Sequence, residues 1–278
     1  MAWRIGRWLY QGSRRELSND PADNGEYLLQ RAWAKSSQGK AAPDGGYRLV
    51  DVGANVGAWT ANLLGELKAA GVKDYRIWAF EPAPAQREAL CALCRPAIED
   101  KTVLVDPRGL GAAPGRAVFN VVSEVAGSNA LAAQGEPHAA GAIEIDITTL
   151  DAACLEQGAA RLDFVKVDTE GNDFNVILGA RGLFDREAID VLQFEYNWRW
   201  VGFGHWLREV FDFVEGRPYV LGRLTGSGVE VYDAWHPELE RYIETNYVIV
   251  HERSLPAVPH RRVAFDASNT AVAPASPS

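Results

Sequence analysis

The stretch Leu49-Val50-Asp51-Val52-Gly53-Ala54-Asn55-Val56-Gly57 constrains the fold more than any other part of the chain. A short apolar run breaks on a glycine-bearing turn and passes directly into the helical pattern of Ala58 to Ala70. That order, strand then turn then helix, is the opening of a βαβ unit, and a βαβ unit commits the chain to a parallel sheet with right-handed crossovers. Four further runs have the length of buried strands: Tyr75 to Pro82, Thr102 to Asp106, Leu162 to Asp168 and Asp190 to Asn197. Helical periodicity falls between them at Pro84 to Ala97 and Phe174 to Phe184. The expected fold class is therefore α/β, Rossmann-like, with a mostly parallel central sheet and helices on both faces.

Two runs break the rhythm. Arg116 to Val122 and Ala142 to Leu150 read as strands with no helix between them, only the polar, glycine-containing stretch Ser123 to Gly141. An antiparallel insertion spanning about residues 116–150 is expected. Tyr219 to Leu224 and Asn246 to His251 supply the last strands. Residues 1–46 read as an N-terminal helical cap or arm, with a helix near Asn24 to Trp33, and residues 47–254 as the main domain. Residues 255–278, ending in a Pro/Ser/Ala-rich run from Ala271, read as a partly disordered tail. Cys91 and Cys94 share a helix face in an Ala/Leu-rich pattern, which favours buried thiols over a metal or redox pair.

The glycine turn is a ligand cradle, because glycine lacks the Cβ that would hold a ligand off, and the following helix directs free N–H groups into the crevice at the strand ends. Asp51, Gly53, Ala54, Asn55 and Gly57 are its candidate cofactor contacts. A dinucleotide fingerprint wants glycine two residues after the first, and Asn55 stands there instead. Asp51 would place a carboxylate near phosphates but suits the cationic amino group of a methionine moiety. S-adenosylmethionine is therefore expected over NAD. The second strand ends Phe80-Glu81-Pro82, where Glu81 can accept both hydrogen bonds of a ribose diol and Pro82 beside it is a further candidate cofactor contact, as is Asp168.

These two blocks, together with Lys166-Val167-Asp168-Thr169-Glu170-Gly171, occur in the order found in FkbM-type methyltransferases, and the chain resembles that family from about Gly25 to Val250. The glycine turn is common to many class I methyltransferases; the Lys-x-Asp-x-Glu-Gly block is more specific. The resemblance implies a class I fold and O-methylation. Asp173 matches an acid that commonly follows this block in the family, whereas Thr169 and Asn172 depart from its usual aliphatic or aromatic choices. It also implies that Leu110, in Gly109-Leu110-Gly111, touches the adenine.

Asp168, Glu170 and Glu195 are the candidate catalytic carboxylates, because they lie at the carboxyl ends of the fourth and fifth strands, where this sheet type places its ligand crevice. His205 is the candidate imidazole base, in the aromatic segment Trp198 to Trp206, which could form an acceptor lid. A hydroxyl acceptor loses its proton either to such a base or under a divalent ion held by Asp168, Glu195 and Asn197; the metal-free route is preferred.

The expected acceptor is a hydroxylated small molecule such as a sugar, glycan or natural product. The alternatives are a NAD-dependent oxidoreductase on the same turn, and a scaffold that binds cofactor without turnover. The formal net charge of −9 argues against a nucleic-acid partner. No apolar run is long enough to span a membrane, and the first ten residues lack the apolar core of a secretory signal, so a cytoplasmic protein is expected, with a homo-oligomer compatible.

Overall fold

The computed structural model describes residues 1–14, 18–40, 42–43, 45–121, 129–133 and 141–274. Helices α1 (Ala2–Ser13) and α2 (Glu26–Ser37) precede β1 (Tyr47–Val52), α3 (Ala58–Ala70) and β2 (Tyr75–Phe80). Next come α4 (Pro84–Leu93), α5 (Arg95–Glu99), β3 (Val103–Asp106), β4 (Gly109–Leu110), β5 (Gly115–Asn120), β6 (Ala130–Leu131) and β7 (Ile143–Thr148). The second half contains α6 (Leu150–Glu156), β8 (Leu162–Val167), α7 (Asp173–Leu178), α8 (Arg181–Asp185), β9 (Ile189–Tyr196) and α9 (Leu207–Val214). It closes with β10 (Tyr219–Thr225), β11 (Gly228–Tyr232), β12 (Thr245–His251), β13 (His260–Phe265) and β14 (Ala271–Val272).

The main sheet runs β14-β13-β11-β10-β12-β9-β8-β1-β2-β3. Strands β3, β2, β1, β8 and β9 are mutually parallel, and β12 is antiparallel to both β9 and β10. Its residues alternate between two apolar layers. Leu49, Ile77, Phe164 and Val191 face the layer built with α2, α3 and α4, whereas Val50, Trp78, Val165 and Leu192 face the layer built with α6 to α9. Neighbouring residues of one strand point to opposite faces, so a strand covered on both sides has to be apolar throughout. That requirement is why β1, β2, β8 and β9 stand out in the sequence.

Strands β5 and β7 pair antiparallel, as their spacing suggests, but they leave the main sheet and form a second one with order β4-β7-β5-β6. Val122 and most of the stretch from Ser123 to Gly141 lie outside the described residues. Pro84 starts α4 at a position whose N–H would be unpaired in any case, and the Thr149 hydroxyl caps α6 by accepting from the Ala152 amide (3.1 Å). The expected long helices Pro84 to Ala97 and Phe174 to Phe184 are each broken into two short ones. Beyond residue 254, where a tail was expected, β13 and β14 add strands to the outer edge of the sheet, and Val263 is buried among the core side chains. Cys94 and Cys154 are buried and all three thiols are free.

Adjacent β1 and β8 mark where the chain's crossovers change direction, since β2 and β3 extend the sheet one way and β9 the other. Crevices for ligands open at the carboxyl ends of the strands at such a switch point.

Candidate functional site

A cavity of about 350 Å³ opens at that switch point. Gly53, Ala54 and Asn55 of the first turn, Glu81 and Pro82 after β2, and Leu110 of β4 line it on one side. Asp168, Glu170 and Glu195 line it on the other.

Glu81 holds the first wall together. Its Oε2 accepts from the Asn55 amide (2.7 Å) and its Oε1 from the Ala83 amide (2.7 Å), so one buried carboxylate ties the turn after β1 to the turn after β2. Each oxygen keeps a lone pair for a further donor. Burial raises the Glu81 pKa, and the two amide hydrogen bonds pull against that shift. Gly53 adopts φ 76°, and a Cβ built on it would lie 1.9 Å from the Asp168 carbonyl oxygen. The Gly57 Cβ would instead strike Leu90 Cδ1 at 2.4 Å, and Gly57 is not on the cavity wall. Gly57 therefore serves the packing of α3 on α4.

Asp51 is fully buried beneath the cavity. It is the register partner of Lys166 across β1 and β8, and the Lys166 ammonium lies 3.8 Å from its Oδ1 and 3.1 Å from Asp168 Oδ2. Thr60 donates its hydroxyl hydrogen to Asp51 Oδ2 (2.6 Å). Burial raises the Asp51 pKa, opposed by Lys166. Burial alone would lower the Lys166 pKa, but the two acids outweigh it and keep the ammonium charged. Lys166 thus clamps the ends of two strands.

Glu170 sits at φ 57°, in the left-handed region that side chains seldom adopt, and is held by Arg199 at 2.7 Å. Its neighbour Gly171 has φ 108°, and a Cβ there would come within 2.7 Å of the Arg199 Cβ. Burial, then the charge of Asp168, pushes the Glu170 pKa up to about 7. Glu195 is shifted in the same direction by burial and by the acids around it, and its Oε2 accepts from Asn197 Nδ2 (2.5 Å). Asp173, fully buried, accepts from the Gly171 amide (3.2 Å) and is pushed up by burial to about 8.

Asn197 and His205 do not reach the cavity. Asn197 is buried; its Oδ1 accepts from the Arg199 amide (2.8 Å) and caps the 3-10 helix Trp198–Phe203. His205 stands between Glu209 (3.1 Å) and Asn175 (3.2 Å) with its ring edge-on to Phe174. Replacing His205 with Gln is expected to leave kcat within about threefold, whereas a general base gives a factor of 10² or more; steady-state kinetics check this. The aromatic segment expected as a lid is anchored in the core: Trp200 is completely buried and donates its indole N–H to the Glu195 carbonyl (3.0 Å). Among the described residues, no group of three or more His, Cys, Asp or Glu is arranged to hold a metal ion.

Three parts of the wall consist of residues that the sequence does not single out, although residues 1–46 read as a cap or arm. Ser18, Asn19 and Pro21, with Glu26 and Tyr27 at the start of α2, close one side. Glu244 and Asn246 add polar groups from the approach to β12. Trp59 contributes a buried indole N–H that has no hydrogen-bond partner among the described residues. A polar loop and a lone tryptophan carry no periodic signal, so only the folded arrangement shows them.

Comparison with known proteins adds the following. The family described as the methyltransferase FkbM domain matches residues 51–221 of the chain. A crystal structure of an FkbM methyltransferase from Methylobacillus flagellatus KT is similar at 20% identity and TM-score 0.47, over 73% of this chain and 43% of that one. The chain thus spans less than half the length of that protein. The METTL16 methyltransferase domain is similar at 11% identity and TM-score 0.45, over 81% of this chain and 66% of that one. A putative rRNA methylase from Clostridium thermocellum is similar at 9% identity and TM-score 0.41, over 78% of this chain and 94% of that one. No curated protein sequence matches the chain.

Proposed function

Because the chain belongs to the FkbM methyltransferase family, we propose that its cavity holds S-adenosylmethionine and that the protein passes the methyl group to a hydroxyl of a small molecule, a sugar, glycan or natural product. The NAD-dependent alternative gives way to family membership. The observation that carries the hydroxyl reading is Glu170, a carboxylate on the cavity wall with its pKa pushed up to about 7, where a general base works best near neutral pH.

The residues present fit this cofactor. The glycine turn leaves room for close approach, Glu81 has free lone pairs for a ribose diol, and the unpartnered Trp59 N–H offers a donor to the methionine carboxylate. Asp51 lies too deep to meet the methionine amino group, so that role passes to groups on the wall. Trp59→Phe keeps the ring packing on Phe164 and removes only the donor. It is expected to weaken S-adenosylhomocysteine binding roughly 5- to 10-fold, about 1–1.5 kcal/mol, without lowering Tm; calorimetry and a melting curve check the two halves separately.

Bound S-adenosylmethionine supplies a methyl group on a sulfonium, open to in-line displacement by the acceptor oxygen. The chain orients donor and acceptor, which can account for roughly 7–11 kcal/mol of the barrier, and removes one proton, worth about 10²- to 10⁴-fold. Alignment dominates. Glu170 takes the proton as the new bond forms, with Arg199 stabilising its charged form. Asp168 is held beside it by Lys166. Glu26 and Glu244 add carboxylates to the wall, which also carries Lys166, Arg108 and Arg223.

The folded-state pKa of Glu170 lies above its unfolded value of 4.5, at about 7. The folded state then binds more protons between these values, so this group's contribution to stability is full below about pH 4.5 and falls as pH rises toward 7. Glu170→Gln removes the titration. Its Tm relative to wild type should rise between about pH 5 and pH 8, while kcat falls about 10²-fold or more and the rising limb of the rate profile near pH 7 disappears. A mass-spectrometric screen of hydroxylated metabolites for a methyl gain tests the acceptor class. Methylation only at nitrogen, or only on RNA, would overturn it.

A further inference from the structure

Among the described residues, helix α1 has no buried side chain, yet it is rich in large apolar side chains. Trp3 is 73% exposed, Trp8 60%, Leu9 57% and Ile5 53%. Its attachment lies at the carboxyl end, where the Tyr10 hydroxyl donates to Glu238 (2.9 Å), Arg14 pairs with the same carboxylate (3.4 Å) and the Arg14 guanidinium lies over the Phe265 ring. A solitary exposed apolar residue needs no explanation, but a run of them on one helix marks an interaction surface.

The pattern of side chains says which kind. Met1, Ile5, Trp8 and Leu9 recur at helical spacing and form one apolar face, while Trp3 and Tyr10, one full repeat apart, extend it on the far side. Arg4, Arg7 and Gln11 gather in a narrow polar strip, and Ser13 ends the helix. A helix lodged in a protein groove keeps a broad polar face to solvent; here the apolar arc covers most of the circumference. The charge is equally one-sided. All the charged side chains from Met1 to Arg14 are arginines, on a chain whose formal net charge is −9. An acidic body is repelled by an anionic surface, so the basic helix is the part able to meet one.

We propose that α1 lies in the headgroup region of an anionic lipid membrane. Ile5, Leu9 and Trp8 enter the acyl boundary, Trp3 sits at headgroup depth, and Arg4 and Arg7 reach the lipid phosphates, while Tyr10 stays on Glu238 of the body. No helix among the described residues is long and apolar enough to span a bilayer. Helix α1 rests on the surface. Docking holds the wall formed by Ser18, Asn19 and Pro21 close to that surface, because Ser18 follows the anchor Arg14 by at most about 14 Å of extended chain.

Flotation of the full chain with vesicles tests this independently of any methyl transfer. Wild type should float with vesicles of equal phosphatidylglycerol and phosphatidylcholine, and at least about tenfold less with phosphatidylcholine alone. Ile5→Ser with Leu9→Ser should abolish flotation, and Arg4→Glu with Arg7→Glu should remove the preference for anionic vesicles. Both double variants should melt at the wild-type temperature, since all four side chains are exposed. Wild type left at the bottom of the gradient with anionic vesicles would overturn the proposal. So would concentration-dependent self-association that Ile5→Ser with Leu9→Ser abolishes, which would assign the face to a second copy of the chain.

Discussion

Gly53→Ala is expected to eliminate measurable binding of S-adenosylhomocysteine, an affinity loss of more than about 100-fold, or roughly 2.7 kcal/mol. The residue sits at φ 76°, where a side chain costs about 1–2 kcal/mol before any contact is counted. The added Cβ would also lie 1.9 Å from the Asp168 carbonyl oxygen, a backbone atom that cannot swing aside. Asp168 is pinned from the other direction, because its amide donates to the Val52 carbonyl (2.9 Å). The only relief is to part the ends of β1 and β8, which widens the crevice and pulls the Lys166 clamp off one of its two acids. Tm should fall by several degrees as well, and circular dichroism before calorimetry separates lost binding from lost fold.

The second large effect is at Glu81. Removing its carboxylate with Glu81→Ala leaves the Asn55 and Ala83 amides without acceptors, at about 1–3 kcal/mol for each buried donor, and also removes the proposed ribose contact. A rise in Kd of about 100-fold or more is expected, together with a lower Tm. Glu81→Gln is the sharper test. Its NH₂ must face one of the two amide N–H groups, donor against donor, so it should lose at least about tenfold in affinity despite its matched shape. Were Glu81 only a surface acid at the start of α4, both variants would bind normally.

The central sheet was legible because burial on both faces forces near-continuous apolar runs. Leu49 and Val50 had to be apolar for opposite reasons, one facing α3 and the other facing α7 and α8. The glycine turn and Glu81 were legible because ligand approach restricts residue type at a few fixed positions. What the residues did not reveal was which side chain meets which across the chain. Asp51 has a position in sequence that suits a cofactor amino group, but its register partner is Lys166, more than a hundred residues later, and that pairing draws it under the floor. Trp200 and His205 have the composition of a lid and the packing of a core, since a ring that can stack on a ligand stacks equally well on Phe174 and Phe194.

Some signals were available and passed over. Gly226-Ser227 joins β10 to β11 as a two-residue hairpin, with Thr225 paired to Gly228, and a glycine-serine pair between two apolar runs is a recognised hairpin cue. The strands β13 and β14 follow a proline-bearing 3-10 helix, Glu252–Ala257, and expose most of their residues at the edge of the sheet. Half-exposed edge strands lack the apolar continuity that betrays a central one, so the segment reads as a tail.

The account depends on the crevice between β1 and β8 holding a sulfonium nucleoside. Isothermal titration of the purified, folded chain with S-adenosylhomocysteine, beside NADH as the competing ligand, tests it most directly. Saturable heat near one equivalent with S-adenosylhomocysteine, none with NADH, and loss of the signal in Glu81→Ala are the expected results. Heat with NADH alone, or none with either ligand from protein that melts cooperatively, would contradict it.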